Sequence, residues 1–196
     1  MYKFFLKRVI DILISILAIP FIFITIILVG PIIYMNDKGP IFYNSERIGK
    51  NGKTFKMFKL RSMKVNAPDI RNNDGSTFNA ETDERVTNVG KFIRKTSLDE
   101  LPQFINVLLG DMSVIGPRPN LPTVKYDKLS ELEKRRLDVK PGITGYNQAY
   151  YRNSVDTIEK YINDIYYLEN LTFFMDIKIF LKTICSVVRR NNINIS

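Results

Sequence analysis

The residues best suited to chemistry in this 196-residue chain stand together in Ser97-Leu98-Asp99-Glu100-Leu101-Pro102-Gln103, which leads into the stretch 104–109 and stops at Gly110. Adjacent carboxylates ahead of a proline predict a helix start, because proline is accepted in the first helical turn and disrupts later ones. A carboxylate at such a start faces free backbone N–H groups and the positive end of the helix dipole. Asp99 is therefore expected to stay ionised, as a nucleophile or a metal ligand. A second reading is purely structural: Ser97 and Glu100 have the Ser-x-x-Glu spacing of a capping box. Taken alone, the stretch leaves both open.

Composition narrows the chemistry. The chain has no histidine, so catalysis falls to Asp, Glu, Lys, Tyr and the backbone. One cysteine, Cys185, excludes an internal disulfide and a cysteine-cluster zinc site, and its apolar surroundings predict a buried, inert thiol. The net charge of +9 asks for an anionic partner: nucleic acid, an anionic membrane surface or a phosphorylated substrate. Charge does not choose among them, and the length allows one domain with one core.

The elements that must position the carboxylates follow from the patterning. Residues 12–35 form an uncharged, largely apolar run long enough to cross a hydrocarbon core of roughly 30 Å. Cations flank it on both sides, Lys3, Lys7 and Arg8 before and Lys38, Arg47, Lys50 and Lys53 after, so the positive-inside rule draws both ends to the cytoplasm. Pro20 offers a hinge that meets both demands by turning the chain back within one leaflet. The alternative is a spanning helix kinked at Pro20. Residues 1–36 are thus read as a re-entrant membrane hairpin and 37–196 as a small mixed α+β catalytic domain carrying interfacial amphipathic helices.

Within that domain, 41–43 and 54–61 read as two strands joined by a turn at Gly49, Asn51 and Gly52, with Lys59 and Arg61 on one face. The polar stretch 64–86 reads as a long loop. Helices are predicted over 89–95, 129–139, 155–168 and 171–190. The last is basic and amphipathic, suited either to a membrane interface or to capping a soluble core. Pro117 and Pro119 bracket Arg118 and hold its backbone, which suits a guanidinium aimed at an oxyanion. Lys140-Pro141-Gly142-Ile143-Thr144-Gly145 reads as a tight turn that would let a ligand approach backbone N–H groups, and it matches no nucleotide-binding fingerprint.

Several motifs taken in order resemble one family. They are Lys7 to Asp11; Glu46-Arg47-Ile48-Gly49; Lys59 to Met63; Arg85-Val86-Thr87; Gly90 to Arg94; Ser97 to Gln103; Gly110 to Ser113; Gly116 to Pro119; and Lys140 to Gly145. The chain closely resembles the bacterial sugar transferases known as monotopic phosphoglycosyl transferases, or polyprenyl-phosphate sugar-1-phosphate transferases, in their small form. The resemblance implies transfer of a phosphosugar from a UDP-sugar to a membrane polyprenyl phosphate, with release of UMP and dependence on Mg²⁺. It implies that Asp99 attacks the β-phosphorus to form a phosphosugar–aspartyl intermediate and that Glu100 helps hold the metal with it. By the same resemblance Lys59, Arg94, Arg118 and Arg152 are phosphate contacts, with Arg61, Arg85, Pro119, Gly142 and Thr144 in the substrate-binding set and Pro20 as membrane hinge. Membrane lipids and downstream glycosyltransferases are the expected neighbours, nucleic acid is not, and the expected location is the cytoplasmic face of the bacterial inner membrane. A membrane-anchored basic module binding nucleic acid or anionic lipid is the alternative, and a carboxylate pair serves it poorly. Lys140, Tyr150 and Tyr151 depart from the common family pattern and leave the sugar and pathway open.

Overall fold

A computed structural model of the chain describes residues 2–71, 78, 82–151 and 154–188. After a π-helical turn at Tyr2–Leu6, α1 spans Lys7–Asp37, followed by β1 Ser45–Ile48, β2 Thr54–Met57, α2 Asn88–Lys95, α3 Gln103–Leu109, β3 Ser113–Ile115, α4 Glu131–Arg136, β4 Gly142–Thr144, α5 Tyr146–Tyr150, α6 Thr157–Glu169 and α7 Phe173–Val188. The class is α+β, as expected.

The expected break at Pro20 does not divide α1 into two helices: Pro20 and Pro31 both lie inside one continuous element. Each proline removes one backbone donor and leaves a carbonyl one turn back unbonded, a loss that an apolar helix absorbs when its other bonds stay internal. Asp11, Ser15, Ile22, Thr25, Val29 and Ile33 are buried at helical spacing, so a single stripe faces the rest of the molecule. Off that stripe, Leu13, Leu17, Phe21, Ile24, Leu28 and Met35 are all more than half exposed. Each would gain about 1.5–3 kcal/mol on leaving water, so the surface is made for a non-aqueous surrounding.

Both ends of α1 are fastened to the same body. At the start, Arg8 donates to the carbonyls of Val107 and Leu108 in the last turn of α3, where a cation meets the negative end of the helix. Asp11 accepts from the Ser113 hydroxyl at 2.8 Å and the Val114 N–H at 3.0 Å. At the far end, Asp37 grips Arg61 through two bonds of 2.6 Å. Val29 and Ile33 also build a core cluster with Leu60 and Ile93, so α1 contributes to the interior of the fold.

β1 and β2 form an antiparallel pair with Arg47 opposite Phe55. The first strand lies at Ser45–Ile48 rather than at 41–43, where one bridge, Phe42 to Leu60, is formed. Residues 142–144, expected in a turn, instead form β4, paired in parallel with β3 so that Ser113 faces Gly142 and Ile115 faces Thr144. The glycines here permit close approach: a Cβ on Gly142 would stand 2.1 Å from the Gly116 nitrogen. Met57, Val107, Met112, Val114, Ile115, Tyr167, Leu168 and Ile179 fill the larger core between these strands and α3, α6 and α7.

The remaining helices match expectation in place. Thr87 caps α2 by accepting from Gly90 N, and α4 begins with a reciprocal capping box between Ser130 and Glu133. α7 packs on the core through Ile179 and Asp176, which point inward, while Phe174, Ile177, Leu181 and Ile184 are exposed. Cys185 lies on the exposed side rather than in the core, because the inward positions of α7 are taken by Asp176 and Ile179.

Candidate active site

Asp99 and Glu100 do not open an α-helix as expected. They occupy a 3-10 turn, Leu98–Glu100, ahead of α3, and Pro102 is the N-cap residue. Ser97 is left-handed at φ 58° and makes no side-chain cap, so the Ser97–Glu100 capping box does not form; the box in this chain belongs to Ser130 and Glu133. The turn therefore leaves both carboxylates available to other side chains.

Lys59 takes them. Its ammonium lies 2.8 Å from Asp99 Oδ2 and 3.3 Å from Glu100 Oε1. The contact is built by the backbone: Leu60 N–H donates to the Asp99 carbonyl at 3.0 Å, fixing the strand extension beside the turn. Asn106 of α3, fully buried, completes the mounting by accepting from Phe58 N–H at 2.8 Å and donating to the Lys56 carbonyl at 2.8 Å. Nothing in the residue pattern marked Asn106 beyond its being a polar residue among Phe104, Val107 and Leu108.

The two carboxylates differ in setting. Asp99 is buried, with 3% of its side chain exposed, and Glu100 keeps 24%. Burial pushes the Asp99 carboxyl above its usual range, Lys59 opposes that shift and the Glu100 charge adds to it. For Glu100 burial is outweighed by Lys59 and Arg118, which hold its carboxyl below the usual range. The structure thus pairs a more basic carboxylate with a firmly ionised one around a single lysine.

Arginines extend the site on the Glu100 side. Arg118, 63% exposed, has a guanidinium nitrogen 3.9 Å from Glu100 Oε1. Arg94 donates to the Ser62 hydroxyl at 2.8 Å, and its charge acts on both carboxylates. Pro119 is buried and holds the turn behind Arg118. Arg152 lies outside the described residues.

Other residues expected here are engaged elsewhere. Every N–H of Arg61 is occupied, by Asp37 and by the carbonyls of Ile33, Pro40 and Met63, so it fastens α1 to the domain. Arg85 is held by Asp83 at 2.8 and 2.7 Å and donates to the carbonyls of Pro68 and Phe78, which pins part of the expected loop. The Gly142 N–H donates to Pro117 O and the Gly116 N–H to Thr144 O, while the Thr144 hydroxyl meets that of Thr183 at 2.8 Å. This crossing joins the Arg118 turn to β4 and uses the very donors that a ligand would need.

Among the described residues no group of three or more Asp, Glu, His or Cys is assembled for a metal. The donor set still suits Mg²⁺, which is commonly held by one or two carboxylates together with substrate phosphates and water. Lys59 reaches one oxygen of each carboxylate, and the more exposed Glu100 fits that role better than the buried Asp99.

The family model described as bacterial sugar transferase matches residues 2–190. A galactosyl transferase, CpsE, of Streptococcus agalactiae is 43% identical over 187 residues, which is 91% of this chain and 41% of the relative. The UDP-N-acetylgalactosamine-undecaprenyl-phosphate N-acetylgalactosaminephosphotransferase of Aeromonas hydrophila is 39% identical over 94% of this chain and 44% of its own length. The chain therefore spans less than half of these two relatives. The uncharacterized sugar transferase EpsL of Bacillus subtilis, 38% identical, is covered over 87% of its length by 93% of this chain.

Proposed function

The chain belongs to the bacterial sugar transferase family, and from that membership we propose that it moves a sugar-1-phosphate from a UDP-sugar to undecaprenyl phosphate, releasing UMP. The observation that carries this reading is the buried, one-sided carboxylate of Asp99, mounted against Lys59 beside the ionised Glu100 and the exposed Arg118.

Asp99 Oδ attacks the β-phosphorus of the donor, and the bond from that phosphorus to the bridging oxygen breaks with its electron pair leaving on UMP. A phosphate oxygen of the lipid then attacks the same phosphorus and returns the Asp99 carboxylate. Burial makes the carboxylate more basic and removes its water, while Lys59 keeps it ionised and aimed. Arg118 and Arg94 lower the cost of bringing an anionic diphosphate toward two carboxylates. Mg²⁺, when held by Glu100 and the donor phosphates, supplies charge neutralisation for the transferring phosphoryl group.

The apolar face of α1 and the exposed stripe of α7 support a membrane enzyme, with acceptor and catalytic residues meeting at the lipid surface. That Arg8 and Asp11 at one end and Asp37 at the other bind the same body supports a chain that enters and leaves the lipid on one side, and we place that side in the cytoplasm. In Cys185→Ser protein, cysteines placed at Lys3 and Lys38 are then both unlabelled from outside intact cells and both labelled in inverted vesicles. Labelling of one end alone from outside would establish a span.

The reaction is tested with purified protein, UDP-sugars, Mg²⁺ and undecaprenyl phosphate. UMP is released, and without acceptor a labelled sugar phosphate is retained on Asp99. Wild-type turnover by Asp99→Asn would overturn the assignment.

A further inference from the structure

β1 pairs with one edge of β2, and among the described residues no strand covers the other edge. Where β2 ends at Met57 the chain runs on to Lys59, and its backbone groups on that open edge need partners. The side-chain amide of Asn106 supplies them. It accepts from Phe58 N–H at 2.8 Å and donates to the Lys56 carbonyl at 2.8 Å, the two bonds that a neighbouring strand would make across Met57. An amide suits this place because it offers a donor and an acceptor side by side. Asn106 is fully buried, and its own carbonyl accepts from the N–H groups of Gly110 and Asp111, both at 3.0 Å, so the bracket is itself held. Beyond Phe58, the Lys59 carbonyl accepts from Tyr43 N–H at 2.9 Å and Leu60 N–H donates to the Asp99 carbonyl at 3.0 Å. The backbone of Lys59 is therefore gripped before and after its Cα. From there the ammonium, at the end of a flexible stem, arrives 2.8 Å from Asp99 and 3.3 Å from Glu100.

We propose that Asn106 is a positioning residue for the transfer step, holding the 56–58 backbone at the level from which Lys59 reaches both carboxylates. α3 is the ruler. Its N-cap, Pro102, stands just after the turn that bears Asp99 and Glu100, and Asn106 lies one turn into the same helix. The spacing between the carboxylates and the strand end that carries their lysine is thus set within a single helical turn. By holding Asp99 Oδ2, Lys59 orients the carboxylate that attacks, so a strand end displaced by about 1 Å misaligns the attack. The assignment rests on the transferase reading given above, and it acts through Lys59 alone.

The test uses the full chain in lipid nanodiscs. Asn106→Ala should slow single-turnover transfer of a labelled phosphosugar to Asp99 about tenfold per folded molecule and leave KM for the UDP-sugar unchanged. Combined with Lys59→Met, it should add nothing to the loss seen in Lys59→Met alone, because both changes remove one interaction. Without substrate, an amine-reactive ester should acylate Lys59 several-fold faster in Asn106→Ala than in wild type, read by mass spectrometry, because the ammonium then leaves the carboxylates. Val107→Ala, which empties buried space beside Asn106 on the same helix, should lower the melting temperature while the rate and Lys59 acylation stay at the wild-type level. Should Asn106→Ala not fold, Asn106→Ser, which keeps one hydrogen-bonding group, carries the same comparisons with smaller losses. A role in packing alone predicts that the Asn106→Ala and Lys59→Met losses multiply and that Lys59 acylation is unchanged, and that result would overturn the proposal. If wild type turns over and Asn106→Ala keeps both its rate and a protected Lys59, the positioning is wrong and the reaction stands. If wild type releases no UMP from any donor yet Asn106→Ala exposes Lys59 to the ester, the reaction is wrong and the grip on Lys59 stands.

Discussion

Asp99 and Glu100 around Lys59, and Asp11 and Asp176 around Lys7, are both carboxylate pairs gathered near one lysine, yet their surroundings differ in kind. Asp176 receives Lys7 at 2.7 Å, the Tyr2 hydroxyl and, at 2.7 Å, the Tyr167 hydroxyl, and Asp11 is closed by Ser113 and Val114. All of these partners belong to the fold. At Asp99 the side-chain partner is Lys59, which divides itself with Glu100, and the next cations are Arg118 and Arg94. A carboxylate whose oxygens are all bonded holds the chain together, whereas one kept dry beside a lysine shared with a second carboxylate suits the nucleophile proposed above. The same composition thus yields a clasp in one place and the proposed reactive centre in the other.

The largest expected effect separates the two directly. Asp99→Asn should lower the rate of UMP release at least about a thousandfold, as removal of a nucleophile does, and leave the melting temperature near that of wild type. Asp176→Asn should do the reverse. Breaking a buried ion pair of this kind costs about 3 kcal/mol, or about 5–10 °C in detergent, with the rate per folded molecule retained. If Asp176→Asn proved as inactive as Asp99→Asn while fully folded, the distinction would collapse.

Next in size is the lysine. Lys59→Met should cost about a hundredfold in rate, the scale of losing one preorganised charge. In metal-free protein, carboxyl NMR should place the Asp99 titration above the ordinary carboxylate range, and in Lys59→Met higher still, since Lys59 opposes the rise caused by burial. Ionised Asp99 is then lost on acidification at a higher pH than in wild type. Lys7→Met should leave that titration unmoved and lower the melting temperature instead.

These contrasts also show what the residue pattern could and could not convey. The carboxylate pair, the Arg118 turn, the apolar helix and the helices over 89–95 and 155–168 were legible because each depends on neighbours close in sequence, whereas Lys59, expected by resemblance at a phosphate, takes its place between Asp99 and Glu100 through residues remote in sequence. Arg61 and Arg85 look in sequence like further phosphate ligands; Asp37, remote in sequence, makes a clasp of the first, and the nearby Asp83 makes a local clasp of the second. The parallel pairing of 113–115 with 142–144 joins segments too short and too distant to announce one another, so Gly142 and Thr144 read as a ligand-binding turn. Asn106 escaped for the same reason: its value lies in the backbone of 56–58, which is remote in sequence.

The smaller effects refine the comparison. Asp37→Asn should lower the melting temperature by several degrees by leaving the buried Arg61 short of its partner, with little change in rate. Glu131→Gln, which removes an exposed pair with Lys134, should change stability by less than about 0.5 kcal/mol.

A helix clasped at both ends by one body also has a mechanical meaning. On the proposed seating in lipid, α1 would work as a depth gauge. Its outer face would set how far the molecule sinks, and its anchors at Arg8, Asp11 and Asp37 would tie that level to the domain bearing Asp99. The nucleophile would then ride at a constant height above the acyl chains, the height at which a lipid-borne phosphate presents itself, so bilayer thickness and lateral pressure would act on the reaction as directly as substrate concentration does.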